Sequence, residues 1–409
     1  MGAGWSKLRE QKIPREPRRA APADPFFLRV EAGEGEKKME RLKSLFKGEP
    51  VLCISALCAL ASMLLTPPSA VYAGYIDFRV LILLFGLMAV VAGFQDCGLF
   101  ELLAQRMLSG RHRMRTITLM LVLLPFFTSM LVTNDVALLT FVPFAILVLG
   151  MVGRNDQILW VVVLQALAAN LGSMATPVGN PQNLYLYNTY GLTAGDFFGV
   201  ILPLAAVSLA ALMVCSLVGK DQILEVQFPE QAKLRRPGRL AVLCVLFVLC
   251  LLCVFRVIHE WLLLAVVLVT LLVMGRDLLR RVDYGLLLTF VCFFVFSGNL
   301  GQSEALREVL TRALAWNTAL VSGLVSQVIS NVPAAVLLSG FTQDWRGLLV
   351  GTDVGGLGTP VASLASLIAL RLYMKAPGAN MGRYLRVFTV ANIAGLVILS
   401  AAAVLFGNM

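Results

Sequence analysis

The sequence predicts an all-α polytopic membrane protein built from inverted repeats, with about nine full spans, two re-entrant hairpins and two broken helices. Three observations predict it: a strongly apolar composition, the length of the apolar runs, and the recurrence of one ordered series of segments in both halves. Of the 409 residues, 58% are hydrophobic and only 14% charged, with a mean hydropathy of +0.81. The bilayer is the natural solvent for such a chain. The net charge of +10 does not point to nucleic acid, because the excess sits in short stretches between apolar runs, as the positive-inside rule expects of cytoplasmic loops. No nucleic-acid partner is expected.

Taken in order, residues 1–49 read as a basic, disordered cytoplasmic tail. The first fifty residues hold twelve Lys/Arg, eight Asp/Glu and the Pro-rich stretch PREPRRAAPADP. Met39 precedes MERLKSLFKGEP and could be the native start, and no signal peptide is evident. Residues 50–218 form a first repeat half, 219–239 a cytoplasmic linker and 240–409 a second half. Apolar runs near 50–67, 79–100, 157–186, 197–218, 240–255, 261–275, 284–300, 347–370 and 387–407 are the expected spans, with 240–255 and 261–275 short. Two further stretches, 116–150 and 317–343, are interrupted near their middles by Asn and its neighbours and are expected as hairpins.

With that parity the N-terminus is inside and the C-terminus outside. The expected cytoplasmic connections then carry seventeen Lys/Arg, among them Arg106, Arg154, Arg239, Arg281 and Arg386. The outer ones carry five: Arg79, Arg256, Arg307, Arg312 and Arg346. This asymmetry favours a multi-pass protein of the inner (plasma) membrane in this orientation over its mirror image.

The repeat is legible in IDFRVLILLFGLMAVVAGF (76–94) and VDYGLLLTFVCFFVFSGNL (282–300), which match Asp77 with Asp283 and Gly93 with Gly298. Each copy leads to an interrupted hairpin, with TNDVA (133–137) in one and SNVPA (330–334) in the other. Each hairpin leads to a span broken by Gly and Pro: GSMATPVGNPQN (172–183) and GGLGTPVASL (355–364). The parity gives the copies opposite topology, and inverted repeats with discontinuous helices characterise secondary transporters, which bind near the midplane and alternate access around it.

Breaks in hydrocarbon expose half-helix ends, whose free amides suit anionic oxygens and whose carbonyls suit a small cation. The candidate substrate- and ion-binding residues lie there: Thr133, Asn134 and Asp135 at the first tip, and Thr176, Gly179, Asn180, Gln182 and Asn183 in the first break. The second half offers Ser330 and Asn331 at its tip, then Thr352, Asp353, Gly358, Thr359 and Ser363. These are hard oxygen and amide groups, suited to H⁺, Na⁺ or a carboxylate rather than a transition metal. Na⁺ could sit near Asn134, Asp135 and Asn331. Asp135 is the most informative, since a central carboxylate costs about 2.5–3.5 kcal/mol on insertion scales; it carries a coupling ion, caps the second half-helix, or does both. Asp353 reads either way too. Asn170 and Gln165 line the pathway or bridge helices. Asp96 and Glu101 read as interfacial, Arg256, His259 and Glu260 as an outer turn, and Arg371 as snorkelling to the inner surface.

All eight cysteines lie in apolar runs, and the Cys250/Cys253 pair lacks an accompanying His, so packing rather than a metal or redox role is expected. No cofactor is expected beyond the coupling ion. No GxxxxGK[ST] loop or HExxH motif occurs, and neither direct ATP use nor an enzyme is expected.

At these motifs the sequence resembles a known group. TNDVALL (133–139), TPVGNPQNLYLY (176–187), SQVISNVPAAVLL (326–338) and GGLGTPVASLASLIALR (355–371) resemble the ion transporter superfamily, specifically its citrate-transporter-like permeases, and within them a branch of poorly characterised bacterial inner-membrane permeases. Arsenite pump membrane subunits, NhaD-type antiporters and divalent anion/sodium symporters are related. The resemblance spans residues 40–409. It implies a secondary active transporter of a small organic or inorganic anion, coupled to H⁺ or Na⁺, working as a homodimeric elevator among membrane lipids. The alternative it implies is a cation/proton antiporter or an arsenite-type efflux permease. Dicarboxylate transporters of the group carry Ser-Asn-Thr at each tip for Na⁺; here the tips read Thr133-Asn134-Asp135 and Ser330-Asn331-Val332.

Overall fold

Apolar runs become helices because backbone in hydrocarbon must pair its N–H and C=O groups within its own segment. A computed structural model describes residues 50–407 except 65, 220, 229, 230 and 275; the expected basic tail lies outside the described residues. Residues 1–53 and 54–409 form separate units, and the helix bundle belongs to the second.

After α1 (Pro50–Ser62) and the short α2 (Tyr72–Tyr75), a first series runs through α3 (Phe78–Asp96), α4 (Leu99–Leu108), the hairpin α5 (Met114–Ser129) and α6 (Asn134–Met151), the broken pair α7 (Ile158–Ser173) and α8 (Pro181–Thr189), and α9 (Ala194–Ser216). Two connecting helices follow, α10 (Pro237–Val254) and α11 (Glu260–Met274). The second series then repeats the first: α12 (Tyr284–Gly301), α13 (Glu304–Trp316), the hairpin α14 (Thr318–Ile329) and α15 (Asn331–Ser339), the broken pair α16 (Trp345–Val354) and α17 (Leu364–Tyr373), and α18 (Met381–Leu405). Every expected span is a helix or a broken pair. Among the described residues, seven helices are individually long and apolar enough to cross a membrane. The protein is an all-α multi-pass membrane protein.

The paired residues Asp77 and Asp283 have the same job. Each is the N-cap of its copy, accepting from Val80 N at 3.0 Å and from Leu286 N at 2.8 Å. The amphipathic α4 and α13 also correspond, each following its long helix; reading apolar runs alone did not separate them, because Glu101, Arg106, Glu304, Arg307, Glu308 and Arg312 interrupt the hydrophobicity.

Packing follows the same two-fold scheme and crosses between the copies. Within each copy the first hairpin leg lies on the first half of the broken pair, α5 on α7 and α14 on α16. Between copies the second leg lies on the second half-helix of the other series, α6 on α17 and α15 on α8. Outside this centre α3 packs on α10 and α11. Its C-terminal end is held by Arg239, which pairs with Asp96 (3.3 Å) and Asp277 (3.1 Å), while Arg281 also reaches Asp96 (2.9 Å).

At the same end, β1 (Gly110–Arg113) pairs antiparallel with β2 (Ile223–Val226), strapping the linker across the entrance to the first hairpin. The neighbouring Arg154 guanidinium lies 2.9 Å from Asp156, and Arg154 also donates to Gln222 of the linker.

Candidate functional site

The local sequence explains where each central helix stops and restarts. In the first copy, α7 ends at Ser173 and the chain runs through MATPVGN before α8. Asn180 restarts it, accepting from Asn183 N at 2.9 Å with Pro181 at the first helical position. In the second copy, α16 ends at Val354 and GGLGTPVAS precedes α17. Gly358 stands at φ +106°, where a Cβ would lie 2.3 Å from Gln327 Oε1.

Aligning Thr176-Pro177-Val178 with Thr359-Pro360-Val361, and Thr133-Asn134 with Ser330-Asn331, shows that the copies share contacts as well as helices. Thr176 donates its hydroxyl to Met130 O, and the equivalent Thr359 donates to Gln327 O at 3.0 Å. Asn134 Oδ1 accepts from Asp135 N at 3.0 Å, and Asn331 Oδ1 from Val332 N at 2.9 Å. Gly172 and Gly355 carry the same close approach: a Cβ on the first would lie 2.1 Å from Phe126 O and on the second 2.8 Å from Gly323 Cα.

The same alignment equates Asn170 with Asp353, and each reaches across to the opposite break. Asn170 Oδ1 accepts from Asn134 Nδ2 (3.0 Å) and Ser363 Oγ (2.9 Å), while its amide donates to Ser366 Oγ (3.4 Å). Asp353 Oδ1 accepts from Asn180 Nδ2 and Gln182 Nε2, both at 3.3 Å. Ser363 and Ser366 are themselves the equivalents of Asn180 and Asn183. Each break is therefore completed by a side chain of the other copy. Asp353 is no helix cap.

The second tip is closed by its neighbour. Ser330 Oγ and Asn331 N both donate to Ala362 O, at 3.2 and 3.0 Å, with Ser330 held at φ +75°. Gln327, not singled out from the sequence, orders the second break by donating to Gly355 O (2.7 Å) and Leu357 O (2.8 Å) and accepting from Thr359 N (2.9 Å). Asn183 does the matching work in the first, donating to Met174 O at 3.0 Å. Thr352 stands apart: its hydroxyl is spent on Leu348 O and Leu349 O of its own helix. Gly179 is there for closeness, since a Cβ would lie 2.2 Å from Ser173 O. Gln165 bridges helices, donating to Leu121 O at 2.8 Å.

Asp135 behaves differently from every other polar residue here. Its side chain makes no hydrogen bond among the described residues, and Oδ1 is buried. With Thr133 it lines a cavity of about 310 Å³ bounded by α3, the first tip, α12 and α17, which extends to Gln95, Arg281 and Asp283. Asp353 is likewise buried, its Oδ2 without a partner. No hydrogen bond or ion pair joins either carboxylate to a cation among the described residues, and no group of three His, Cys, Asp or Glu is placed to hold a metal there.

The citrate transporter family (CitMHS) matches residues 46–344, most of the chain. An uncharacterized transporter of Methanocaldococcus jannaschii is 29% identical over 81% of this chain and 90% of its own length. The inner membrane protein YbiR of Escherichia coli is 33% identical over 73% of this chain and 80% of its own. An uncharacterized transporter of Mycobacterium tuberculosis is 27% identical over 72% and 78%. The repeat architecture and these relatives agree on a transporter rather than an enzyme. This multi-pass protein, a membrane transporter of a small solute, belongs to the citrate transporter family.

Proposed function

We propose that the chain is a secondary active transporter that moves a small organic or inorganic anion, coupled to H⁺ or Na⁺, by elevator-type alternating access in a homodimer. The observation that carries the reading is Asp135, a carboxylate with no partner facing a cavity where one half-helix ends and another begins. Such a group accepts an ion in one state and releases it in another. Amides left unbonded at the starts of α6, α8 and α17 are the donors for an anionic cargo; those of Asn331 and Val332 at the start of α15 are already bonded. Thr133, Asn134, Asn180, Asn331 and Thr359 supply the neutral groups around it. Membership of the family leaves the cargo open among small anions.

The cavity reaches Gln95, Arg281 and Asp283, at the end that the charge asymmetry assigns to the cytoplasm. On that assignment the conformation is open to the inside of the plasma membrane, with the N-terminus inside and the C-terminus outside. A second reading, a cation/proton antiporter, is favoured by the cavity wall itself: it carries Asp135 and Asp283, and its one arginine, Arg281, is already paired with Asp96.

Uptake into proteoliposomes under imposed proton or sodium gradients separates these readings, with labelled dicarboxylates, citrate, sulfate and arsenite as cargo. Gradient-driven anion flux that falls at least about tenfold in Asp135→Asn is expected, the loss of a coupling interaction worth about 1.4 kcal/mol. Flux that survives the substitution removes Asp135 from the coupling; its side chain caps no helix among the described residues. Cation-dependent proton movement without anion flux establishes the antiporter.

A further inference from the structure

We propose that Asp353 is a second proton-binding carboxylate of the transport centre, so that each cycle carries two protonation events, one at Asp135 and one at Asp353. The inference deepens the transporter reading and rests on it for its place in a cycle, but the protonation itself stands on Asp353's own surroundings.

Asp353 sits in the last turn of α16, 7% exposed. Among the described residues only Oδ1 has partners, the amides of Asn180 and Gln182 from the other copy; Oδ2 is buried with none. A buried carboxylate charge met by two neutral donors on one oxygen and nothing on the other is poorly compensated. A proton on Oδ2 removes the charge and leaves both donor contacts to Oδ1 intact.

The same geometry argues against Na⁺ at this position. The orientation of Asn180 is fixed, because its Oδ1 accepts from Asn183 N, and so its Nδ2 hydrogens point at Asp353. A sodium ion needs a shell of oxygens, and amide hydrogens occupy that side of the carboxylate.

The charged and titratable groups on the elements packed against α16 do not supply a counter-ion. There are none in α14 or α15; α8 has Tyr185 and Tyr187, α9 has Asp196 in its first turn and Cys215 in its last, and α18 has Arg383, Tyr384 and Arg386 near its start. On α16 itself Arg346 lies over Trp345, about two turns away. None makes an ion pair or hydrogen bond with Asp353. Tyr185 spends its hydroxyl on Ser339.

The pseudo-symmetry adds an independent reason. Where α16 has Asp353, α7 has Asn170, which does the same bridging with a neutral amide; Asn suffices for the architecture. Where the first tip has Asp135, the second has Val332. Each copy thus carries one carboxylate at a position its counterpart leaves uncharged. In the cycle, the proton arrives on Oδ2 from water on one side and departs to water on the other, with no other bond made or broken.

Infrared difference spectroscopy of the full-length protein in liposomes, stepped in pH and compared in H₂O and D₂O, tests this. Expected are two buried carboxylic-acid C=O bands in wild type: one lost in Asp353→Asn but kept in Asp135→Asn, and shifted rather than lost in Asp353→Glu. A wild-type spectrum unchanged in both Asp353 variants overturns the proposal. If Asp353→Asn does not insert, the shift or constancy of the Asp353→Glu band decides alone. Where gradient-driven flux is measured, its order in proton concentration is expected to fall from second to first in either single Asn variant, and first-order wild-type flux overturns the two-proton cycle. Absence of any flux under proton or sodium gradients would remove the secondary-transport reading and leave the infrared assignment standing, so the two failures are distinguishable.

Discussion

The two copies of the repeat are nearly the same object in backbone and different objects in charge. Thr176 and Thr359 tie each break to its hairpin through the same kind of bond, and Asn134 and Asn331 start each second leg in the same way. Yet Asp135 faces Val332 across the pseudo-symmetry, and Asp353 faces Asn170. The shared contacts are those that hold helix ends together in hydrocarbon, where an unpaired backbone group is costly. The unshared ones are carboxylates, which the architecture does not need. The difference separates what builds the site from what the site is for.

The largest expected effect treats the copies as equals. Gly172→Ala and Gly355→Ala each drive a Cβ into backbone, at Phe126 O and Gly323 Cα. Each is expected to cost about 3 kcal/mol, the upper end for overpacking, read as matched drops in melting temperature of the detergent-solubilised protein. A loss confined to one of them would break the structural equivalence.

Next comes the cross-copy bridge. Asn170→Ala removes contacts to Asn134, Ser363 and Ser366 and is expected to cost about 2 kcal/mol, since buried polar partners are left unpaired. Asn170→Asp should keep the contact to Ser363 and sharpen the comparison, by giving the first copy the charge that the second already has. Thermal unfolding of the two variants side by side measures both.

The smallest effect separates the tips. Ser330 stands at φ +75°, a conformation that favours Gly, whereas its counterpart Thr133 has an ordinary φ of −65°. Ser330→Gly relieves about 1 kcal/mol of backbone strain against the loss of one bond to Ala362 and is expected to be near neutral. Thr133→Gly relieves nothing and adds unfolded-state freedom, so it should destabilise by about 1 kcal/mol. Equal effects in a melting assay would mean that the tips are strained alike.

Much of this was legible in the residues. Apolar length placed the spans, TND and SNV marked the tips, and the two TPV breaks marked the interrupted helices. Asp77 and Asp283 were matched before their shared capping role was visible. The amphipathic α4 and α13 were not separated, because a reading of continuous apolar runs passes over helices whose charges face out. Gln327 was missed for another reason. It works by bonding backbone groups far along the chain, and nothing in its immediate sequence distinguishes it from a residue that does not. That Asn170 and Asp353 are counterparts needed both breaks aligned in space, since the spacing between hairpin and break differs between the copies. Sequence alone leaves Asp353 open between a cap and an ion site; its partners on the other copy exclude the cap.

The crossed packing, with α6 lying on α17 and α15 on α8, has a consequence for how the protein is made. During synthesis the first copy enters the membrane with α6, Asn134 and Asn170 already present while Ser363, Ser366 and α17 are still untranslated. Its polar centre must wait, hydrated or held by the insertion machinery, until the last ninth of the chain arrives. Maturation is therefore a single late event, and a chain truncated before residue 364 would be left with an unfinished first half as well as an unfinished second.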